Sequence, residues 1–285
     1  MHPAILYKKI KNNLVQCQAC AHYCAIKEGK TGKCGVRQNV GGRLQLLVYG
    51  RPVGLQVDPI EKKPLYHFLP GTKILSFGTF GCNFKCEFCQ NWDMSQTYAE
   101  LTQNYTPEEI VALAVKYKTP SIAYTYNEPA IFAEYARDIM VLAQDRGLKN
   151  VWVSNGYFSK ETLEYIGPYL DAINIDLKSF SDEFYQKICG AHLQPVLETI
   201  KRVHKRGIHQ EITTLLIPGE NDSDKELKQI AEFITFVDKN IPWHISRFHP
   251  DYKMLDKDIT PYGSLTRARE IGLKAGLKYI YLGNI

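Results

Sequence analysis

Three cysteines, Cys82, Cys86 and Cys89, stand in the run Gly81-Cys82-Asn83-Phe84-Lys85-Cys86-Glu87-Phe88-Cys89-Gln90-Asn91, with the spacing C-x3-C-x2-C. A cubane 4Fe-4S cluster has four irons, usually held by cysteine thiolates, so three close cysteines leave one iron open to take a substrate. A zinc knuckle or a set of buried thiols is the competing reading. Closely spaced cysteines in a reducing compartment favour metal over disulfide, and this spacing departs from the usual zinc patterns. A second set, Cys17, Cys20, Cys24 and Cys34, has the spacing C-x2-C-x3-C-x9-C with His22 inside it. Four thiolates in so short a span enclose either tetrahedral zinc or a second iron–sulfur cluster, and spacing does not choose between them. With iron, the site would relay electrons to the first cluster; with zinc, it would staple a small module short of core. Of the eight cysteines only Cys189 falls outside both sets.

The elements that position the first set follow from periodicity. Ile74 to Phe80 is an apolar run of strand length, so the cysteine loop sits at a strand's carboxyl end. In βα-barrels that is the catalytic face. Further strands are expected at 121–125, 151–154, 172–176, 209–216 and 243–248, with a last strand-like run at 279–282. Between them lie stretches of helical period. Thr106-Pro107-Glu108-Glu109 reads as an N-cap with a first-turn proline and acids, opening a helix to about Lys118. Other helices are expected near 130–146, 161–166, either side of Gly190, 224–237 and 265–275. This alternation predicts an α/β chain of about six βα units around a parallel sheet. Residues 1–70 read as a separate Cys-rich module with a metal site, and residues 71–285 as the barrel.

The cysteine loop resembles the signature of the radical S-adenosylmethionine (SAM) superfamily, whose fold is a partial (β/α)6 TIM-like barrel. Three further blocks, Cys17-Gln18-Ala19-Cys20-Ala21-His22-Tyr23-Cys24, Asp58-Pro59-Ile60-Glu61-Lys62-Lys63-Pro64-Leu65-Tyr66-His67-Phe68 and Tyr124-Thr125-Tyr126-Asn127-Glu128-Pro129, extend the likeness over nearly the whole chain. Together they resemble the branch that includes the pyruvate formate-lyase activating enzymes and, within it, the AmmeMemoRadiSam-system radical SAM enzymes. The resemblance implies a 4Fe-4S cluster on Cys82, Cys86 and Cys89 whose open iron is chelated by SAM. One electron from the reduced cluster then cleaves SAM to a 5′-deoxyadenosyl radical, which abstracts hydrogen from an unreactive carbon. It also implies cofactor-binding roles: Phe88 near the adenine, with Gln90 beside the third cysteine; Asn127 and Glu128 at the methionyl end; Asn155 of the Asn155-Gly156 turn; Lys178 of Asp176-Leu177-Lys178 at the SAM carboxylate; and His249 near ribose and adenine. Asp176 and Lys178 share one face of their strand.

Two departures stand out. Tyr126-Asn127 replaces the superfamily's paired glycines, and Val153-Ser154 stands where activating enzymes place an acid for a monovalent cation. Leu216-Ile217-Pro218-Gly219-Glu220-Asn221-Asp222 matches a family block and reads first as a loop-shaping turn. The segment from Lys62 to His67 would line the entrance or link module to barrel, and carries no catalytic assignment.

At 285 residues and 45% hydrophobic content, with no apolar run long enough to span a bilayer, the chain is expected to be globular and off the membrane. Its N-terminus lacks a secretory signal, and oxygen-sensitive clusters need reducing surroundings, so a cytoplasmic location is expected. The net charge of +5 is modest and its basic residues form no single stripe, so nucleic acid is not indicated. The expected reductant is a small ferredoxin or flavodoxin. The substrate is either a glycine backbone in a glycyl radical enzyme partner or a small molecule. A noncatalytic iron–sulfur electron carrier or metal scaffold on the same barrel is the alternative from another class. It is disfavoured because polar residues converge at strand ends where a carrier needs none. The chain stops at Gly283-Asn284-Ile285, just past a strand-like run where related sequences often continue.

Overall fold

The computed structural model describes residues 1–99 and 103–285. An open sheet of eight strands forms its centre, with β1 (Val53–Pro59), β2 (Lys73–Gly78), β3 (Ser121–Tyr124), β4 (Lys149–Ser154), β5 (Ala172–Asp176), β6 (His209–Leu216), β7 (Trp243–Arg247) and β8 (Ile280–Gly283) side by side in chain order. All pairs from β2 to β8 are parallel, and β1 lies antiparallel on β2. The crossovers carry α1 (Pro107–Lys116), α2 (Ala133–Asp145), α3 (Lys160–Ile166), α4 (Leu193–Lys205), α5 (Asp224–Asp238) and α6 (Tyr262–Lys274). This is the expected α/β partial barrel.

Local chemistry sets the element ends. Thr106 caps α1 in a reciprocal capping box with Glu109, Pro107 following at the first helical position. Ser159 and Ser223 accept from backbone N–H groups at the starts of α3 and α5. The central strands are largely buried, with apolar residues predominating where the helices cover the sheet. Outward residues such as Ile122, Trp152, Ile173 and Ile212 pack under the helices. The inward face is more polar: adjacent register pairs Asn174–Glu211 and Asp176–Thr213 put these residues on one surface inside the barrel.

Before β1 the chain makes two small antiparallel sheets, one joining His2–Pro3, Arg43–Leu46 and Arg37–Val40, the other Tyr7–Lys9, Val15–Cys17 and Ala25–Ile26. These dock on the loop after β4: Ala21 N donates to Tyr157 O at 2.9 Å, and Thr162 Oγ1 to Ala19 O at 2.7 Å. A buried ion pair, Arg37–Glu134, fastens the module to α2. Among the described residues no helix is long and apolar enough to cross a membrane.

The expected boundary at residue 70 meets a different arrangement, since β1 already belongs to the barrel sheet. After β1, residues 60–68 turn into the lower end of the barrel. Leu65 is fully buried with Ile74, Ala123, Val151 and Ala172, and Asn174 Nδ2 donates to Pro64 O at 2.8 Å. Glu211 accepts from Tyr66 N (3.0 Å) and His67 N (2.8 Å), and its carboxylate also pairs with His209 Nε2 (3.0 Å) and His244 Nε2 (2.6 Å). Burial alone would raise the Glu211 pKa, but these bonds outweigh it and hold it at about 2. Because the folded value lies below the unfolded value of 4.5, its stabilisation is complete above pH 4.5 and fades as pH falls through about 2. We expect the wild type to lose about 3 kcal/mol more than Glu211→Gln over that range. Urea midpoints recorded between pH 6 and pH 2 measure this, and parallel curves for the two proteins would refute it.

Candidate functional site

The cysteine loop leaves β2 through Gly81, whose φ of 84° only glycine adopts without strain. A Cβ there would also lie 2.5 Å from the Cys34 carbonyl oxygen, so the loop and the N-terminal module touch backbone to backbone. Asn127 pins the bend. Its Nδ2 donates to Thr79 O (2.7 Å), Thr79 Oγ1 (3.0 Å) and Gly81 O (2.8 Å). Cys82, Cys86 and Cys89 all face one cavity of about 320 Å³ at the carboxyl ends of the strands. Phe84 N donates to Cys82 Sγ at 3.5 Å, and Cys89 Sγ lies 3.1 Å from Ser95 Oγ.

Burial pushes the Cys82 thiol well above its usual pKa, and burial likewise lifts Cys89. For Cys86 the larger cause is a hydrogen bond with the Cys189 side chain, with burial second. Three desolvated thiols stay protonated unless a strong cation displaces their protons, which is what metal coordination does. Soft sulfur donors on one short loop, with an N–H and a hydroxyl aimed at two of the sulfurs, fit an iron–sulfur cluster.

Of the other residues expected at the site, Phe88, Gln90, Asn127, Asn155, Asp176 and Lys178 line the same cavity. Lys178 Nζ pairs with Asp176 Oδ2 at 2.9 Å and stands 5.6 Å from the Phe88 ring centre. Burial would discharge this ammonium, but the Asp176 carboxylate more than offsets it, raising the Lys178 pKa. Asn221 of the 216–222 loop is fully buried and holds Lys178 by its carbonyl oxygen, Nδ2 to O at 2.6 Å. The expected turn thus positions a site residue.

Two expected residues lie elsewhere. Glu128 does not line the cavity: it is fully buried, and its carboxylate accepts from Ala130 N (3.1 Å), Ser154 Oγ (2.9 and 3.0 Å) and Asn155 N (2.8 Å). Burial raises its pKa to about 7 against those bonds. It organises the Ser154-Asn155 turn. His249 is exposed on the rim, its Nε2 3.1 Å from Gln90 Nε2.

Sequence reasoning missed the residues that hold the loop from behind. Asn83 is buried, and its Oδ1 accepts from Asn155 Nδ2 at 2.8 Å. Gly190, in the left-handed conformation at φ 69°, ends a π-helical turn Tyr185–Cys189 that braces the loop through Lys85 N to Cys189 O (2.8 Å) and Glu87 N to Ile188 O (3.1 Å). Tyr126, at φ 68°, donates its hydroxyl to Asp58 Oδ2 (3.1 Å) while Lys63 Nζ sits 4.5 Å from its ring centre. Lys62, Lys63 and Pro64 also line the cavity, so the Lys62–His67 segment is both wall and floor. No local sequence signal marks these contacts, since each joins residues distant in the chain.

Cys17, Cys20 and Cys34 are buried and Cys24 half-buried, all in the N-terminal module. Burial lifts Cys17 to about 11, with the Cys34 charge adding to it, and lifts Cys20, with the charges of Cys17 and Cys34 adding. Cys34 is raised by burial and feels Cys24. The backbone draws part of the set together, Cys17 N donating to Cys24 O at 3.0 Å. Among the described residues no group of three His, Cys, Asp or Glu side chains is arranged to hold a single metal ion.

Comparison with known proteins gives this geometry a family. The family model for the Radical SAM superfamily matches residues 77–234. An uncharacterized protein of Methanocaldococcus jannaschii is 44% identical over all of this chain and 86% of its own length. The pyruvate formate-lyase 1-activating enzyme of Escherichia coli K12 is 23% identical over 58% of this chain and 69% of its own. Among solved structures, Streptococcus suis SuiB bound to S-adenosylmethionine superposes on 74% of this chain and 50% of its own with TM-score 0.60 at 13% identity. A radical SAM methyltransferase from Sphaerobacter thermophilus superposes on 76% of this chain and 68% of its own with TM-score 0.59 at 17% identity. The matched family model agrees with the three-thiol loop at the strand ends, and the chain belongs to the radical SAM superfamily as a radical SAM enzyme.

Proposed function

We propose that Cys82, Cys86 and Cys89 hold a 4Fe-4S cluster, and that the cavity beside it binds SAM for hydrogen abstraction from a protein substrate. The observation that carries this reading is the convergence of three thiols, the Lys178 ammonium and the Phe88 ring on one cavity at the strand ends. When bound, cluster and SAM supply a 5′-deoxyadenosyl radical. The chain's own residues bind and orient. Lys178, kept charged by Asp176, offers its ammonium to the SAM carboxylate. Phe88 offers an apolar face to the adenine. Asn155 and Asn127 fix the loop that carries the thiols, and Gln90 with His249 forms the rim. Glu128 acts as a positioning residue through Asn155. Such a cluster needs reducing surroundings, as in the cytoplasm, and a low-potential donor such as a ferredoxin or flavodoxin.

The protein-substrate half rests on the named activating-enzyme relative and on the polar far wall. There Ser246 and Asn284 line the opening, and Thr213 Oγ1 is buried without a partner. Backbone amides of an inserted segment match such a wall. The test is anaerobic reconstitution, reduction and SAM addition, with and without a glycyl radical enzyme. A SAM-dependent change in the cluster's EPR signal, 5′-deoxyadenosine, and a glycyl radical doublet on the partner are the expected results. SAM that leaves a reduced cluster's spectrum unchanged would overturn the cofactor reading. A turnover driven by a small molecule, with no radical on protein, would overturn the protein-substrate half.

Lys178→Ala is expected to raise the SAM concentration needed for half-maximal cleavage roughly ten- to hundredfold, the worth of one charge-assisted hydrogen bond. Cluster content should stay unchanged. Titrating the EPR change with SAM measures this, and an unaltered midpoint would remove Lys178 from the carboxylate.

A further inference from the structure

Asn83 is 1% exposed and its Nδ2 has no hydrogen-bond partner. Its Oδ1 faces the catalytic side, accepting from Asn155 Nδ2 and lying 3.7 Å from Cys82 Sγ. The backbone carbonyl oxygen of the same residue lies 2.9 Å from His22 Nε2, inside the N-terminal set. One buried residue therefore joins the two cysteine sets, its side chain beside Cys82 and its backbone carbonyl at His22. Unpaired buried N–H groups are costly, and a metal-bound thiolate or sulfide is a strong acceptor for one. The second backbone contact, Gly81 against Cys34, brings the two sets together again.

The chain's charge is also unevenly placed. Residues 1–50 contain eight Lys and Arg and a single acid, Glu28, while the rest of the chain is close to neutral. Arg37 is buried with Glu134. Lys8, Lys9, Lys11, Lys27, Lys30 and Lys33 are exposed on the module that carries Cys17, Cys20, Cys24 and Cys34. An excess of exposed lysines on one module steers and orients an acidic protein partner.

We propose that Cys17, Cys20, Cys24 and Cys34 hold a second iron–sulfur cluster, and that this module is the port where an acidic one-electron carrier docks and delivers electrons toward the loop cluster. The inference rests on the radical SAM reading of that loop. Zinc accounts less well for the placement of the two sets, which meet where Gly81 lies against Cys34. A redox-silent staple would also give no account of the shared Asn83. In the transfer, the carrier loses one electron and the N-terminal cluster gains it. The N-terminal cluster then returns to its oxidised state as the loop cluster is reduced, and no bond forms or breaks.

The full chain and its Cys82→Ala/Cys86→Ala/Cys89→Ala variant are reconstituted anaerobically and assayed for iron, sulfide and zinc, with Mössbauer and EPR spectra. About eight irons in the wild type and about four in the variant, as a reducible cluster, are expected from two cubane sites. One zinc in the variant, or about four irons in the wild type with none in the variant, would overturn the second cluster. The port is tested by stopped-flow reduction of that variant's remaining cluster with reduced flavodoxin. Lys27→Glu/Lys30→Glu/Lys33→Glu should slow it at least about tenfold at low salt, and photoreduced deazaflavin should reduce both forms equally. Equal flavodoxin rates would overturn the port. SAM cleavage by the wild type with deazaflavin alone tests the loop cluster separately, so a failure there is distinguishable from a failure of the relay.

Discussion

Alanine at Cys86 is expected to reduce 5′-deoxyadenosine formation to the level of iron-free protein. Two remaining thiolates would leave a second iron without a protein ligand, and the buried loop has few replacement donors. A candidate replacement sulfur is that of Cys189, fully buried and near enough to raise the Cys86 pKa. The decisive comparison is therefore Cys86→Ala with Cys86→Ala/Cys189→Ala, each scored for iron content and for deoxyadenosine by chromatography. Loss in the single variant shows that Cys189 does not substitute. Retention in the single and loss in the double shows that it does. A double variant that kept full SAM cleavage would sink the assignment of the cluster to this loop. Cys189→Ala alone should keep the cluster, because its sulfur is not one of the three in the loop.

The second large effect concerns stability. Arg37→Ala is expected to cost about 3–5 kcal/mol, because it leaves the Glu134 carboxylate buried and unpaired. Arg37 and Glu134 are each 1% exposed. Arg37 Nε donates to Ile131 O at 2.8 Å and Nη1 to Glu134 Oε1 at 3.1 Å. The same carboxylate oxygen accepts from Ile5 N (2.9 Å) and Leu6 N (3.1 Å). One ion pair thus ties two stretches of the module, residues 5–6 and Arg37, to α2 and the turn before it. Arg37→Met/Glu134→Leu should recover most of the loss, since a buried pair replaced whole by apolar groups is often near neutral. Urea titration of the three proteins measures both effects, and a loss below about 1 kcal/mol for Arg37→Ala would mean that water reaches the pair.

The parallel sheet and the cysteine loop were the legible parts. Strands such as Ile74–Phe77 and Ala172–Ile175 are mostly apolar and fully buried, because helices cover the outer face of the sheet and the barrel interior encloses the inner one. The capping box at Thr106 and the turn at Gly147 carry their own chemistry. Strand β1 was not legible. Val53-Gly54-Leu55-Gln56-Val57 is half-exposed at a sheet edge and contains a glycine in the left-handed conformation, so its pattern is neither a buried run nor clean alternation. The role of Glu128 was misjudged for a related reason. Its identity and its place after β3 were right for the cavity, but Ser154 and two backbone N–H groups claim its carboxylate, and Ser154 lies 26 residues away. Partners such as Arg37 and Glu134, 97 residues apart, leave no periodic trace at all.

The floor made by residues 60–68 has a consequence for traffic through the enzyme. With Leu65 seated in apolar contacts and Glu211 bonded to the two backbone N–H groups that follow, the lower end of the barrel is a cul-de-sac. Molecules consumed and released therefore share the rim side, near Gln90, Asp176 and Asn284. Spent adenosyl and methionine fragments must clear that shared doorway before the next pair can load. Turnover is then ordered by queueing, and a macromolecule docked on the rim would hold the products behind it until it lets go.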